Sequence, residues 1–176
     1  MLQTKVKVKL TGGIMPVKKS EYAACYDVFC PTDYVIKRGR QVIDLGFVLE
    51  LPIGWHADIR PRSGFSVNGF ECEMLLFFLD GSEPQKTNLR IDADVLLGTI
   101  DCDYRNNCGV ILVSREKEPD VPLPKRNLVH SYEYIIHKGT RIAQMLIAKD
   151  EETELVEVDE VDTSIDRGGG FGHTGA

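Results

Sequence analysis

Period two dominates the chain. Val6, Val8 and Leu10 alternate with Lys5, Lys7 and Lys9, which predicts a strand with one wetted face. The rhythm continues through "YVIKRGRQVIDLGFVLELPIGWHADIRPRSG" (34–64), cut into short pieces at Arg38-Gly39, Pro52 and Ile53-Gly54. There Trp55, Ala57 and Ile59 fall on one face, and His56, Asp58 and Arg60 on the other. Further strands are predicted at Gly109–Ser114, Tyr132–His137, Ile142–Ala148 and Glu154–Val158. "ECEMLLFFL" (71–79) suits a short helix or a strand, and periodicity does not separate the two. Short strands between turn signals predict an all-β fold: barrel, sandwich or jelly roll.

Three stretches break the rhythm. Glu71–Arg90 contains the turn-rich "DGSEPQKTN", Glu116–Asn127 carries three prolines, and the acidic run Asp150–Asp166 leads into the glycine-rich ending "RGGGFGHTGA". The acidic run reads first as a solvated connector. The other two read first as surface insertions, which loops tolerate cheaply.

The chain has 176 residues, 43% of them hydrophobic and 27% charged, enough for one domain with its own core. A net charge of −6 excludes wrapping of nucleic acid by general basicity, but not capture of a small phosphate-bearing ligand by a few local cations. The longest apolar run, "MLLFFL" (74–79), is far below the ~20 residues of a membrane-spanning helix. The opening residues alternate rather than form an apolar block, so no secretory signal is expected. Five cysteines without a CxxC pair suggest reduced thiols in a cytoplasmic protein.

Candidate chemistry concentrates in a few places. In "RPRSGF" (60–65), Arg62 offers a bidentate donor for phosphate or carboxylate, Ser63 a hydroxyl, and Gly64 a close backbone approach; a plain turn with a structural arginine explains the same residues. In "GTIDCDYRNNCGV" (98–110), Asp101 and Asp103 would share a face on a strand. An Asp held there suits the orientation of a water as general base, and Tyr104 suits the floor under a sugar. A hairpin tip rich in Asp and Asn accounts for it equally well. Gln144 interrupts the apolar run of "HKGTRIAQMLI" (137–147), as a satisfied rim amide or a phosphate donor. The ending is no Walker loop. Its backbone N–H groups suit a polyphosphate, with Arg167 to pair a phosphate and Phe171 to stack on a base; a disordered terminus has the same composition.

Taken in order, "AACYDV", "PRSG", "GTIDCDYR", "GTRIAQMLI" and "RGGGFGHTG" resemble the five motifs of the trimeric dUTP diphosphatases (dUTPases), from about Ala23 to Gly175. The resemblance implies an all-β, jelly-roll-like β-barrel subunit over 1–166, with insertions near 71–90 and 116–127. It further implies a C-terminal arm exchanged in a homotrimer, with active sites shared between chains. The implied reaction is hydrolysis of dUTP to dUMP and pyrophosphate, with Mg²⁺ held by the phosphates and water rather than by protein ligands. By position, Asp101 would activate the attacking water and Tyr104 would lie against the deoxyribose. Gly98 and Thr99 would belong to the hairpin that reads uracil, and Arg62, Ser63, Gly64 and Gln144 would hold phosphates, supported by Asp27. Residues 167–176 would form a flexible lid, Arg167 reaching the terminal phosphates and Phe171 capping the uracil. Cys25 replaces the first motif's usual glycine, the last motif is one residue short between Arg167 and Phe171, His173 stands where serine is usual, and Val95 replaces an asparagine that often reads uracil. The related dCTP deaminases share the fold, but "PRSGF" lacks their serine pair and following arginine. A dUTP-binding regulatory trimer acting through a protein partner at 71–90 is the third class.

Overall fold

The computed structural model describes residues 4–116 and 128–165. Thirteen strands and one short helix follow in chain order among them: β1 (Lys7–Leu10), β2 (Tyr26–Phe29), β3 (Tyr34–Ile36), β4 (Gly39–Asp44), β5 (Phe47–Glu50), β6 (Trp55–Arg60), α1 (Ser63–Asn68), β7 (Phe70–Phe78), β8 (Gln85–Ile91), β9 (Ala93–Leu96), β10 (Gly98–Ile100), β11 (Gly109–Ser114), β12 (Val129–Ile136) and β13 (Arg141–Lys149). The expected all-β architecture is present. Its ladders form four antiparallel sheets rather than a hydrogen-bonded ring: β1-β5, β10-β6-β13-β2, β4-β11-β9 and β3-β12-β7-β8.

The alternating faces bury one continuous core. Val28, Ile43, Phe47, Leu49, Ala57, Ile59, Phe70, Ile91, Leu112, Ile136, Ile142 and Met145 meet there, one or two from each of nine strands. Cys30, Cys72 and Cys108 join them, and burial pushes their thiols up to about 11, 12 and 11, so they stay protonated at neutral pH. All five cysteines are free.

Two expectations are corrected. Glu71–Arg90 is not a break in the strand rhythm. It is a hairpin, β7 against β8, with Phe70 opposite Ile91 and Leu76 opposite Gln85; the ambiguous "ECEMLLFFL" is strand as far as Phe78 because Phe70 just before it and its own Cys72 and Leu76 are buried against β12 and the core. Glu154–Val158 is no strand: Leu155, Val156 and Val158 are exposed, because none of the described strands pairs with them.

The polar clamp at the end of β6 needs a sharp exit. Pro61 keeps Arg60 extended, α1 then turns once, and Gly69 ends it at φ 80°, where a Cβ would sit 2.9 Å from the Ile91 carbonyl oxygen. Glycine is required there both for the left-handed backbone and for the space.

Candidate active site

Three separated segments converge at one end of the β10-β6-β13-β2 sheet. A bulge between Arg141 and Ala143 shifts the β13 ladder on β2. Gln144 thereby falls opposite Asp27 on one side and Arg60 on the other. Re-aiming side chains is a common consequence of such bulges. Gln144 Nε2 donates to the Pro61 carbonyl at 2.8 Å. The Asp27 carboxylate lies between two guanidiniums, 3.5 Å from Arg62 Nε and 3.1 Å from Arg141 Nη1. Arg62 Nη1 also donates to the Arg141 carbonyl at 3.2 Å. Burial, then the like charge of Arg141, draws the Arg62 pKa below its ordinary value, with Asp27 and Glu71 opposing. The result is a partly buried cation pair that shares Asp27 as its contacting counter-charge, suited to an anion with more than one negative charge.

Ser63 and Gly64 begin α1 and are exposed, and no heavy atom lies within 4 Å of the place a Gly64 Cβ would take. Their backbone is thus open to a ligand beside Arg62. Arg141 was not singled out in the sequence. Its signal is its place at the head of the "RIAQMLI" strand, three residues before Gln144.

The Asp101 region lies elsewhere. Gly98 and Thr99 belong to β10, which pairs with β6 as Gly98 with Ile59 and Thr99 with Asp58. Thr99 Oγ1 donates to Asp58 Oδ1 at 2.8 Å and Arg60 Nη2 to Asp58 Oδ2 at 2.8 Å. These partners explain the burial of Asp58, and Arg60 above all holds its carboxyl below the ordinary range. His56, on the same face, contacts Asp150 through Nδ1 and lies 3.8 Å from Asp58 through Nε2.

Asp101 and Asp103 do not share a strand face, because β10 ends at Ile100 and both lie in the turn that follows. Tyr104 N–H closes that turn on the Asp101 carbonyl at 3.1 Å. Asp101 is exposed, and no other described side chain hydrogen-bonds or ion-pairs with its carboxylate. The Tyr104 hydroxyl donates to the Asn107 carbonyl at 3.1 Å, leaving the side chain 42% exposed. Asn107 anchors the loop: Nδ2 donates to Asp44 Oδ2 at 3.0 Å, and Oδ1 accepts from Thr11 Oγ1 at 2.8 Å. Asp44 in turn accepts from the Gly46 N–H at 2.7 Å, and Gly46, at φ +65° and pressed against Gly13, makes the tight β4–β5 turn that carries the anchor. Sequence reasoning missed Asn107; "YRNNC" reads only as turn residues.

The register separates the two clusters. Ile100 lies opposite Ala57, so Asp101 starts beside His56, six residues back along β6 from Arg62. At about 3.3 Å per extended residue, that is roughly 20 Å within one chain. Arg167 and Phe171, and with them the expected lid, lie outside the described residues, as does 117–127 of the second expected insertion.

A family model described as dUTPase matches residues 11–76. The chain is 30% identical over 174 residues to a deoxyuridine 5'-triphosphate nucleotidohydrolase of Syntrophotalea carbinolica, covering 97% of this chain and 95% of that one. It is 34% identical over 162 residues to the variola virus protein of the same name, covering 91% and 84%. Among solved structures, Staphylococcus bacteriophage 80alpha dUTPase with dUPNHPP superposes with a TM-score of 0.74 at 24% identity, over 99% of this chain and all of the other. The dUTPase of phage phi11 of S. aureus, described with a structural Mg(II) ion, superposes with a TM-score of 0.66 at 19% identity, over 89% and 98%.

Proposed function

The chain belongs to the dUTPase family, and from that premise we propose that it hydrolyses dUTP to dUMP and pyrophosphate. The convergence of Asp27, Arg62 and Gln144 at one end of the sheet carries the reading. Three segments far apart in sequence present there a cation pair and an amide, the chemistry a triphosphate needs.

Asp101 is the base. Its free carboxylate takes a proton from a water whose oxygen attacks the α-phosphorus; the bond from that phosphorus to the bridging oxygen breaks, and pyrophosphate leaves. Tyr104 presents its ring to the deoxyribose, and a ring in van der Waals contact leaves no room for a 2′-hydroxyl. Arg62, Ser63 and Gly64 hold phosphates, Gln144 supports Pro61 beside them, and Gly98 and Thr99 supply backbone groups at the β10 edge for the uracil ring. Arg167 and Phe171 complete the site as a lid.

Mg²⁺ fits this donor set only as an ion carried by the phosphates. Among the described residues no three His, Cys, Asp or Glu side chains cluster to enclose a metal, and magnesium typically keeps several waters and binds through substrate phosphates and one or two carboxylates. When bound, it neutralises phosphate charge and polarises the α-phosphate.

The roughly 20 Å between Asp101 and Arg62 supports a homotrimer whose sites draw these residues from different chains. So does the acidic stretch 151–165. It exposes Leu155, Val156, Val161 and Ile165, while a groove of about 540 Å³ lined by Val6, Val8, Tyr26, Trp55, Met145 and Ile147 opens beside Lys5, Lys7 and Lys18. An acidic, apolar-dotted arm from a neighbouring chain matches that groove in both charge and hydrophobicity. The outer strand β8, exposed from Gln85 to Asn88, is the surface on which a regulatory partner would dock.

The test is pyrophosphate release from dUTP, with dCTP, dTTP and UTP as poor substrates. Ammonia release from dCTP would move the protein to the deaminase class, and tight dUTP binding without turnover to the regulatory one.

A further inference from the structure

Arg62 is the residue that precedes α1, and Phe65 follows it by three residues inside the helix, so the two side chains are neighbours. Arg62 Cζ stands 4.9 Å from the centroid of the Phe65 ring. The ring is itself braced: its centroid is 4.4 Å from that of Phe70, the planes inclined at 38°, and Phe70 is wholly buried where β7 begins. On its other flanks Arg62 faces Asp27 through Nε and donates to the Arg141 carbonyl through Nη1. Nη2 makes no hydrogen bond among the described residues. The guanidinium is therefore held on three sides, and its fork stays open on the fourth.

We propose that Phe65 is a positioning residue for Arg62: its ring face holds the guanidinium by cation–π attraction and so presents Nη2 to a substrate phosphate. This inference rests on the dUTP hydrolysis proposed above. A second carboxylate in place of the ring would immobilise Arg62 equally well, but would neutralise the charge needed for phosphate and occupy its donors. A π face attracts the cation while using no N–H group. The Phe70 contact also ties the inserted hairpin to the phosphate end of the site.

The test compares Phe65→Leu, which keeps apolar volume without a π face, with Phe65→Tyr, which keeps the ring. In Phe65→Leu the KM for dUTP rises on the order of tenfold, while kcat stays within about twofold, as for loss of uniform substrate binding. Phe65→Tyr keeps the wild-type KM. Titration with non-hydrolysable α,β-imido-dUTP then shows Phe65→Leu weakening binding in the wild-type background but not beside Arg62→Gln. A merely structural role would weaken both backgrounds alike, and that result, or an unmoved KM, overturns the inference. Should Phe65→Leu fail to fold, Phe65→Met provides the same ring-free comparison. Wild-type protein that leaves dUTP intact removes the proposed function and this role with it; wild-type turnover with an unmoved KM in Phe65→Leu removes only the role of Phe65.

Discussion

Two aspartates with opposite surroundings mark the residue scale. Asp101 is open to solvent and has no partner among the described residues, as suits a group that receives a water and its proton. Replacing it by Asn is expected to leave folding, assembly and binding of the imido analogue intact and to lower kcat by about 10²- to 10⁴-fold, the usual weight of a general base; steady-state kinetics beside calorimetric titration separates the two. Asp58 is buried and satisfied by Arg60 and Thr99, so it serves the fold. Its folded pKa is depressed, so its contribution is present above the unfolded value of about 3.9 and is lost as pH falls through the folded one. Urea unfolding of wild type and Asp58→Asn is expected to show a stability gap at pH 7 that closes as pH drops below about 4; a gap independent of pH would mean that the ionised form is not what Arg60 holds.

At the scale of elements, the β7–β8 hairpin divides into a structural base and a free tip. Phe70 and Ile91 pair across its base inside the core, so Phe70→Ala costs about 3–5 kcal/mol, read as a lowered Tm by calorimetry. The tip near Asp80–Glu83 is exposed, and shortening it is expected to leave both Tm and turnover near wild type. The glycine-rich ending is expected to behave in the opposite way: removing Arg167–Ala176 keeps the Tm and costs most of the turnover, because a lid contributes to the closed complex rather than to the core. Undiminished turnover of the truncated protein would sink the lid.

For the whole molecule, the separation of Asp101 from Arg62 turns into a mixing experiment. Proteins carrying Asp101→Asn alone and Arg62→Gln alone are each expected to be inactive. Co-refolded in equal amounts, they regain about a quarter of the wild-type activity if each site takes these two residues from different chains of a closed symmetric ring. Sites confined to one chain would regain none, since no chain in the mixture carries both residues. Alternation was enough to locate β1, the pieces of β3 to β6, β11, β12 and β13, because a half-buried strand writes its two faces into the sequence as period two. It failed at Glu154–Val158, which has the pattern of a strand without a partner among the described strands, and at β7 and β8, where "DGSEPQKTN" hid two paired strands behind a turn signal.

Side-chain chemistry marked Arg62, Asp101, Tyr104 and Gln144 as candidates, and motif order added Asp27 and favoured the functional reading of all five, because the chemistry of phosphate and water restricts which side chains can serve and so leaves a local trace in the sequence. Arg141, Asn107 and Phe65 left no such trace. Arg141 matters because a bulge sets the strand that carries it against Asp27, Asn107 because the β4–β5 turn lies beside its loop, and Phe65 because one helical turn lays its ring on a guanidinium. These are relations between residues distant in sequence or set by backbone geometry. So is the gap of roughly 20 Å from the Asp101 end of β6 to Arg62 beyond its other end, which is set by strand register, a property that exists only once the sheet has formed.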